Sequence, residues 1–297
     1  GLKKQENTDF FHTNNDFIRL KNLLESADKI ILHGIWRDKI CKLLLKNEHL
    51  LSKTFWIMWG GDYSHPDKYT DEHFQLMRTV PYVISMSKYS FNYVKNRYGI
   101  QGLHITSFVY PSNIIIKNTI EEKALGNFHI LIGNSGVEWN NHIDIIRKLK
   151  KFDCEKYIYY SVLSYPKMNA YIRSVIELGN NKFKGRFKPI LEYMEFSSYK
   201  SFLSKINFAF FNAPRQQGMS NILNLLHTGT KVFISRNTST FSYLSELGLA
   251  IYDIGTIDMT PLDKEITAKN KKLIENLFSE EELERSLNEI YKFKLFE

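Results

Sequence analysis

Cysteine is almost missing from these 297 residues: Cys41 and Cys154 are the only two. They stand far apart, in or near apolar stretches, which excludes a disulfide framework and any zinc-type spacing. Buried free thiols and a reducing cytoplasm are expected. Glycine (15) and proline (7) are too few for a fibrous or low-complexity chain. No apolar run approaches the roughly 18 residues that a membrane-spanning helix needs, and no signal peptide is visible. Acidic charge is in deficit, with 32 Asp and Glu against 40 Lys and Arg, a net +8. The excess is spread along the chain rather than gathered in a tail. Such a field favours phosphates, sugar nucleotides or an anionic membrane surface. No nucleic-acid motif accompanies the charge, so nucleic acid is not an expected partner.

What is present is an alternation of short apolar runs with helical periodicity. Strands are expected at 29–33, 54–59, 82–85 and 104–109, and helices near 16–26, 38–47, 70–78 and 88–98. Residues 118–126 are polar, lack periodicity and read as a linker. The pattern then restarts, with strands at 128–132, 157–161, 183–185, 208–211, 231–234 and 250–252. Helices are expected near 140–151, 167–178, 197–205, 217–227, 239–246 and 262–276. A last helix, 279–291, begins with Ser279 before three glutamates, a composition suited to a helix N-terminus. Strands alternating with helices argue for parallel sheets covered on both faces. The expected fold is α/β, with two Rossmann-like domains, 1–118 and 127–278, facing across a cleft. Residues 279–297 are expected to pack back towards the first domain.

In open parallel sheets, ligands bind beyond the carboxyl ends of the strands, so the residues after each strand carry the chemistry. Gly133-Asn134-Ser135-Gly136 follows the run 128–132. Small residues there admit a phosphate close to the backbone, and the helix starting near Asn140-Asn141-His142 presents free amides to an anion. A tight strand-to-helix turn is the plainer reading. Arg215-Gln216-Gln217-Gly218 follows 208–211 and opens a helix that Gly229 closes. A guanidinium at that place pairs a diphosphate bidentately; a structural arginine there would need a buried carboxylate. Gly60-Gly61-Asp62 follows the second strand, and Asp62 either serves as general base on an acceptor hydroxyl or caps the next segment. His33-Gly34, after the first strand, is a second candidate base. Ser164-Tyr165-Pro166 with Asn169 shapes a further loop end. The helix from Lys88 to Tyr98 carries Phe91, Tyr93 and Lys95, residues suited either to the core or to a membrane surface.

Taken together these residues resemble glycosyltransferase family 56, the TDP-4-acetamido-4,6-dideoxy-galactose:lipid II transferases of enterobacterial common antigen synthesis. Residues 130–136 with Asn141-His142 look like the family's GNSG segment. Tyr165-Pro166 and Asn169 fit its next loop, and Glu195-Phe196, Tyr199 and Leu203 fit the helix before its donor loop. Arg215-Gln216-Gln217-Gly218 matches its most specific motif, and His33-Gly34 and Trp59-Gly60-x-Asp62 fit in the N-terminal half. The resemblance implies a GT-B architecture and inverting transfer without metal or cofactor. The implied donor is a TDP-sugar, and the implied acceptor a polyprenyl-diphosphate-linked or other glycan in bacterial surface polysaccharide synthesis. A cytoplasmic protein, peripheral on the inner face of the membrane, follows. On this footing Gly133, Asn134, Ser135, Gly136, Asn141, Tyr165, Glu195, Arg215, Gln216, Gln217, Gly218, Ser220 and Asn221 are expected to hold the donor, and Asp62 or His33 to act as base.

Two departures qualify the match. Met219-Ser220-Asn221 stands where the family has a Gly-Thr-like pair, so a different donor sugar is expected. The family's first strand, with its loop of acidic and histidine residues, has no counterpart before Asp28, so the first domain is expected to lack it. The residues alone leave two other classes open. A non-catalytic nucleotide-sugar or anionic-glycan binding protein keeps the Arg215 cluster and needs no base. An epimerase on the same fold needs an acid/base pair and no second substrate.

Overall fold

A computed structural model describes residues 8–11, 13–116, 123 and 126–295. The chain forms two compact units. The first takes the described residues up to Ser107 and those from Glu289 onward; the second is Phe108–Asn288. Most of the polar stretch 118–126 lies outside the described residues.

The first unit is a four-stranded parallel sheet. Its strands β1 (Ile30–His33), β2 (Thr54–Ile57), β3 (Tyr82–Ser85) and β4 (Leu103–Thr106) lie side by side in chain order. Ile30 pairs with Thr54, Phe55 with Tyr82, and Tyr82 with Leu103. Every residue of β2 and β3 is buried, as uninterrupted apolar runs require in a sheet covered on both faces. The helices are α1 (Asn14–Ser26), α2 (Asp38–Leu45), the short α3 (Glu48–Leu51), α4 (Asp71–Thr79) and α5 (Lys88–Tyr98). Their apolar sides meet Trp56 and Val83 in a core that includes Leu44, Leu50, Leu76 and Val94. In α5, Phe91, Val94 and Tyr98 turn inward, whereas Tyr93 stays exposed and its hydroxyl accepts from Arg97.

The second unit is a six-stranded parallel sheet. In chain order it comprises β5 (Phe128–Ile132), α6 (His142–Leu149), β6 (Tyr157–Val162), α7 (Ala170–Phe183), β7 (Phe187–Ile190), α8 (Phe196–Ser204), β8 (Phe208–Phe211), α9 (Met219–His227), β9 (Lys231–Ile234), α10 (Ser239–Glu246), β10 (Tyr252–Asp253) and α11 (Lys264–Leu277). The strand order is β10-β9-β8-β5-β6-β7. The strand expected at 183–185 sits instead at β7. Phe183 is the last residue of α7, and its ring stacks on Tyr159 at 3.7 Å. β7 occupies the sheet edge, the place where Pro189 is tolerated.

The last helix, α12 (Glu280–Lys292), starts with the Glu282 amide donating to the Ser279 hydroxyl. In the first unit, Lys29 donates to the Tyr291 carbonyl at 2.6 Å, and Phe293 sets its edge against Phe55 and Tyr82. Both cysteines are free. Cys41 is buried, which pushes its thiol up to about 12, whereas Cys154 is exposed, contrary to the expectation of two buried thiols.

Candidate functional site

β5 and β8 are neighbours in the sheet, with Ile130 against Phe208 and Ile132 against Phe210. From β5 the chain winds outward through β6 and β7; from β8 it winds the opposite way through β9 and β10. The order therefore reverses between these two strands. At such a switch point the crossovers diverge and leave a crevice beyond the carboxyl ends of the strands. The loops after β5 and β8 start there, and they carry the two motifs with the strongest sequence signal.

The first loop is built on Gly133 and Asn140. Gly133 has φ +66°, and a Cβ there would lie 2.5 Å from the His142 Nε2. Its amide donates to the Phe210 carbonyl, which fixes the loop to the end of β8. Asn140 is buried. Its Oδ1 accepts from the Asn134 amide, and its Nδ2 donates to the Ser135 carbonyl and hydroxyl and to the Val137 carbonyl. Gly136 donates to the Tyr165 carbonyl at 2.6 Å, and a Cβ on it would strike Ile172. Asn141, in the left-handed region at φ +52°, donates through its amide to the Asn212 carbonyl of the second loop. Burial holds the His142 imidazole down to about 4, with Nδ1 against the Tyr171 hydroxyl.

The second loop, 212–218, enters α9 through Gly218 at φ +65°. Gln217 Nε2 donates to the Ser135 hydroxyl at 3.3 Å, so the two motifs touch. Arg215, Gln216, Gln217, Asn134 and Ser135 are all half-buried. No carboxylate reaches ion-pair distance of Arg215 among the described residues, so the structural role open to it in the sequence finds no partner. Four buried polar atoms of these loops and of His142 lack any hydrogen-bond partner: Asn134 Oδ1, His142 Nε2, Arg215 Nε and Gln217 Oε1.

The remaining expected donor residues are distributed less tightly. Tyr165 is exposed and offers its carbonyl, not its ring, to the first loop. Ser220 donates to the Ser112 carbonyl. Asn221 lies near the Tyr199 hydroxyl, which burial pushes up to about 12 and which meets no hydrogen-bond partner among the described residues. Glu195 is exposed at the start of α8 and makes no capping bond. Asn140, which organises the whole first loop, had no sequence signal beyond its place at an expected helix start.

In the first unit, Asp62 is not aimed outward as a base would be. It is fully buried; its Oδ2 accepts from the Trp56 indole at 2.6 Å and the Ile35 amide at 3.3 Å, and its Oδ1 from the Trp59 amide at 3.0 Å. Desolvation outweighs those bonds and raises its carboxyl to about 6. Asp62 thus ties the loop after β2 to the loop after β1. His33 is exposed at the end of β1, with its ring 6.2 Å from that of Trp59 and its carbonyl accepting from the Trp36 indole. No side chain orients its imidazole among the described residues.

Known proteins share this architecture. A glycosyltransferase from Rickettsia africae ESF-5 matches with a TM-score of 0.66 at 12% identity, over 98% of this chain and 83% of that one. Sucrose-phosphate synthase from Thermosynechococcus elongatus matches with a TM-score of 0.65 at 10% identity, over 94% of this chain and 77% of that one. HepE of Anabaena, solved with UDP-glucose, matches with a TM-score of 0.61 at 11% identity, over 92% and 82%. The fold is the GT-B α/β fold. A model of glycosyl transferase group 56, described as 4-alpha-L-fucosyltransferase, matches residues 16–271. With the two motifs in contact at the switch point and the family matched over most of its length, this chain belongs to glycosyltransferase family 56 and is a glycosyltransferase.

Proposed function

We propose that the chain moves a (4-acetamido-)deoxy sugar from a TDP-sugar to a lipid-linked or other glycan acceptor in bacterial surface polysaccharide synthesis, with inversion and without a metal. The observation that carries this reading is the cluster of unpartnered polar atoms where the loops after β5 and β8 meet. A buried polar group without a partner costs about 1–3 kcal/mol. A cluster on two loops at a switch point is therefore best explained by a ligand that supplies the missing partners. Donors and acceptors occur together in it, which suits a sugar and its diphosphate better than a bare anion.

Arg215, with no carboxylate to neutralise it, and the amides at the start of α9 would stabilise the leaving nucleoside diphosphate as its charge develops. These groups can take the part that a divalent cation plays elsewhere. Loop 212–218 contains no carboxylate, so it offers no nucleophile for a covalent glycosyl intermediate. A single in-line displacement, which inverts the anomeric centre, fits that lack. Asn134, Ser135 and Gln217 would hold the phosphate or sugar. Asp62 is assigned to hold the loop after β2 in place, since a group with no exposed surface cannot meet an acceptor. The family's description as a fucosyltransferase supports a deoxyhexose donor. No helix among the described residues is long and apolar enough to cross a membrane, so a lipid-linked acceptor would be met peripherally at the inner face.

Calorimetry with TDP, UDP and GDP tests the reading, with Arg215→Ala as the control. Selective TDP binding that the substitution weakens about 10–100-fold is the expected result. Preference for UDP or GDP would replace the donor but keep the mechanism, and no binding to any of the three by folded protein would refute the site.

A further inference from the structure

The first unit holds a pocket of about 1020 Å3 beyond the carboxyl ends of β1 and β2. Its wall combines aromatic rings, among them Phe17, Trp36 and Tyr69, with the cationic Arg37 and Lys68. Flat apolar faces suit the C–H faces of sugar rings, and the cations suit a phosphate-linked saccharide. A volume at the upper end of the usual range for small-molecule sites leaves room for more than one sugar.

One side of this wall carries an oriented imidazole. His73, on α4, sets its Nδ1 2.9 Å from Asp38 Oδ1 at the start of α2. The Thr70 hydroxyl donates to the same Asp38 oxygen at 3.1 Å. A carboxylate only accepts, so Nδ1 carries a proton and Nε2 is the nitrogen left to exchange one. His73 is 5% exposed, where Asp62 has no exposed surface; His73 and Asp38 both line the pocket, and Nε2 meets no hydrogen-bond partner among the described residues. The ring is held in place by stacking on Tyr69 at 5.6 Å. That ring is pinned in turn, its hydroxyl donating to the Gly61 carbonyl and accepting from the His65 amide. The Lys42–Glu72 ion pair links α2 to α4. A base oriented by a carboxylate on its far nitrogen is the arrangement that recurs wherever histidine takes a proton from a hydroxyl. His33 has no such support.

We propose that this pocket receives the saccharide acceptor and that His73, oriented by Asp38, accepts the proton of its reacting hydroxyl. The proposal rests on the glycosyltransferase reading, with the donor held in the second unit. In the step, the acceptor O–H bond breaks and its proton passes to His73 Nε2. The acceptor oxygen bonds to the anomeric carbon, and the carbon–oxygen bond to the diphosphate breaks, its electron pair leaving on the nucleoside diphosphate. Asp38 is a positioning residue, and Arg37 and Lys68 would hold a phosphate on the acceptor.

The test uses the whole chain with a panel of TDP-hexoses and short-chain prenyl-diphosphate-linked N-acetylhexosamines, reading release of TDP. His73→Gln is expected to lower kcat by about 10²–10⁴-fold, the usual worth of a general base, with TDP affinity unchanged by calorimetry. Asp38→Asn is expected to lower kcat at least about tenfold, with the donor KM held. Imidazole is expected to restore part of the activity of His73→Ala, a rescue that a structural role would not give. A folded His73→Gln variant within about threefold of the wild-type kcat, or loss confined to His33→Gln, overturns the proposal. If His73→Gln does not fold, Asp38→Asn decides in the same way. If no pair in the panel turns over, diethyl pyrocarbonate labelling read by mass spectrometry decides: His73 must react, and a resistant His73 overturns the proposal. Failure of the wild type to bind any nucleoside diphosphate would instead refute the donor site on which it rests.

Discussion

Gly218 lies so close to Asn134 that a Cβ on it would stand 2.8 Å from the Asn134 Cγ. The contact joins the loops after β5 and β8 and leaves no room for a side chain at the entrance to α9. The left-handed φ of +65° adds a second reason for glycine. Gly218→Ala is therefore expected to destabilise the second unit by about 1–2 kcal/mol, from the left-handed backbone alone. The displaced Asn134 should weaken TDP binding about tenfold or more, since a lost hydrogen bond to a charged group is worth roughly 1.5–3 kcal/mol. Denaturant unfolding and calorimetry on one preparation separate the two effects.

Arg215→Ala is expected to weaken TDP by about 10–100-fold, the equivalent of one or two charge-assisted hydrogen bonds. Stability should hardly change, because the guanidinium has no carboxylate to abandon. Arg215→Lys should restore only part of the loss, since an ammonium cannot reproduce a planar fork. Titration at two ionic strengths checks that the recovered part is the salt-sensitive one.

Asn140→Asp is a sharper probe of the first loop than Asn140→Ala. The aspartate still accepts from the Asn134 amide, but it sets an acceptor against the Ser135 and Val137 carbonyls that Nδ2 now serves. Both variants should lose about 1–3 kcal/mol of stability, with the aspartate the worse at neutral pH. The thermal midpoint as a function of pH distinguishes them, because protonation restores a donor to the aspartate alone.

Two buried groups give the two units opposite responses to acid. Asp62 has its carboxyl raised from 3.8 to about 6. It holds its proton more tightly in the folded state, so its share of stability is greatest below about 4 and falls as pH rises to about 6. His142 is lowered from 6.5 to about 4. It binds its proton more tightly when unfolded, so its share is full above about 6.5 and is lost as pH falls to about 4. Each effect is on the order of 3 kcal/mol. Acidification from pH 6.5 to 4 is expected to weaken the second unit relative to the first in differential scanning calorimetry. Asp62→Asn should flatten the response of the first unit while lowering its stability at neutral pH, because the new amide meets a donor from Trp56, Ile35 or Trp59. A response unchanged in Asp62→Asn would show that its carboxyl is not the group responsible.

The α/β class and most elements were legible because β2, β3, β8 and β9 are fully buried and mostly apolar, and β5 ends in the buried run 130–132. β7 was not, because an edge strand holding Pro189 lacks that signature, and the expected strand was placed upstream, where Phe183 ends α7. The loops after β5 and β8 stood out as candidate sites because small and polar residues follow directly on strand ends. Asp62 showed its position but not its direction: its burial depends on the indole of Trp56 and on the Ile35 amide, 27 residues away. The Asp38–His73 pair left no trace in the sequence. Neither residue follows a strand directly, and it is the packing of α2 against α4 that brings them together.

The hydrogen bond from Gln217 to Ser135 spans 82 positions of the chain. Everything from β6 to α8 must be made before β8 can dock against β5. On the proposed reading, a nucleotide site at this contact exists only in chains in which β8 has docked against β5. A nucleotide that binds only that pairing would stabilise it selectively by mass action. The substrate would then act as an inspector of sheet assembly, and shortage of donor would lower the amount of correctly folded protein as well as the rate of the reaction.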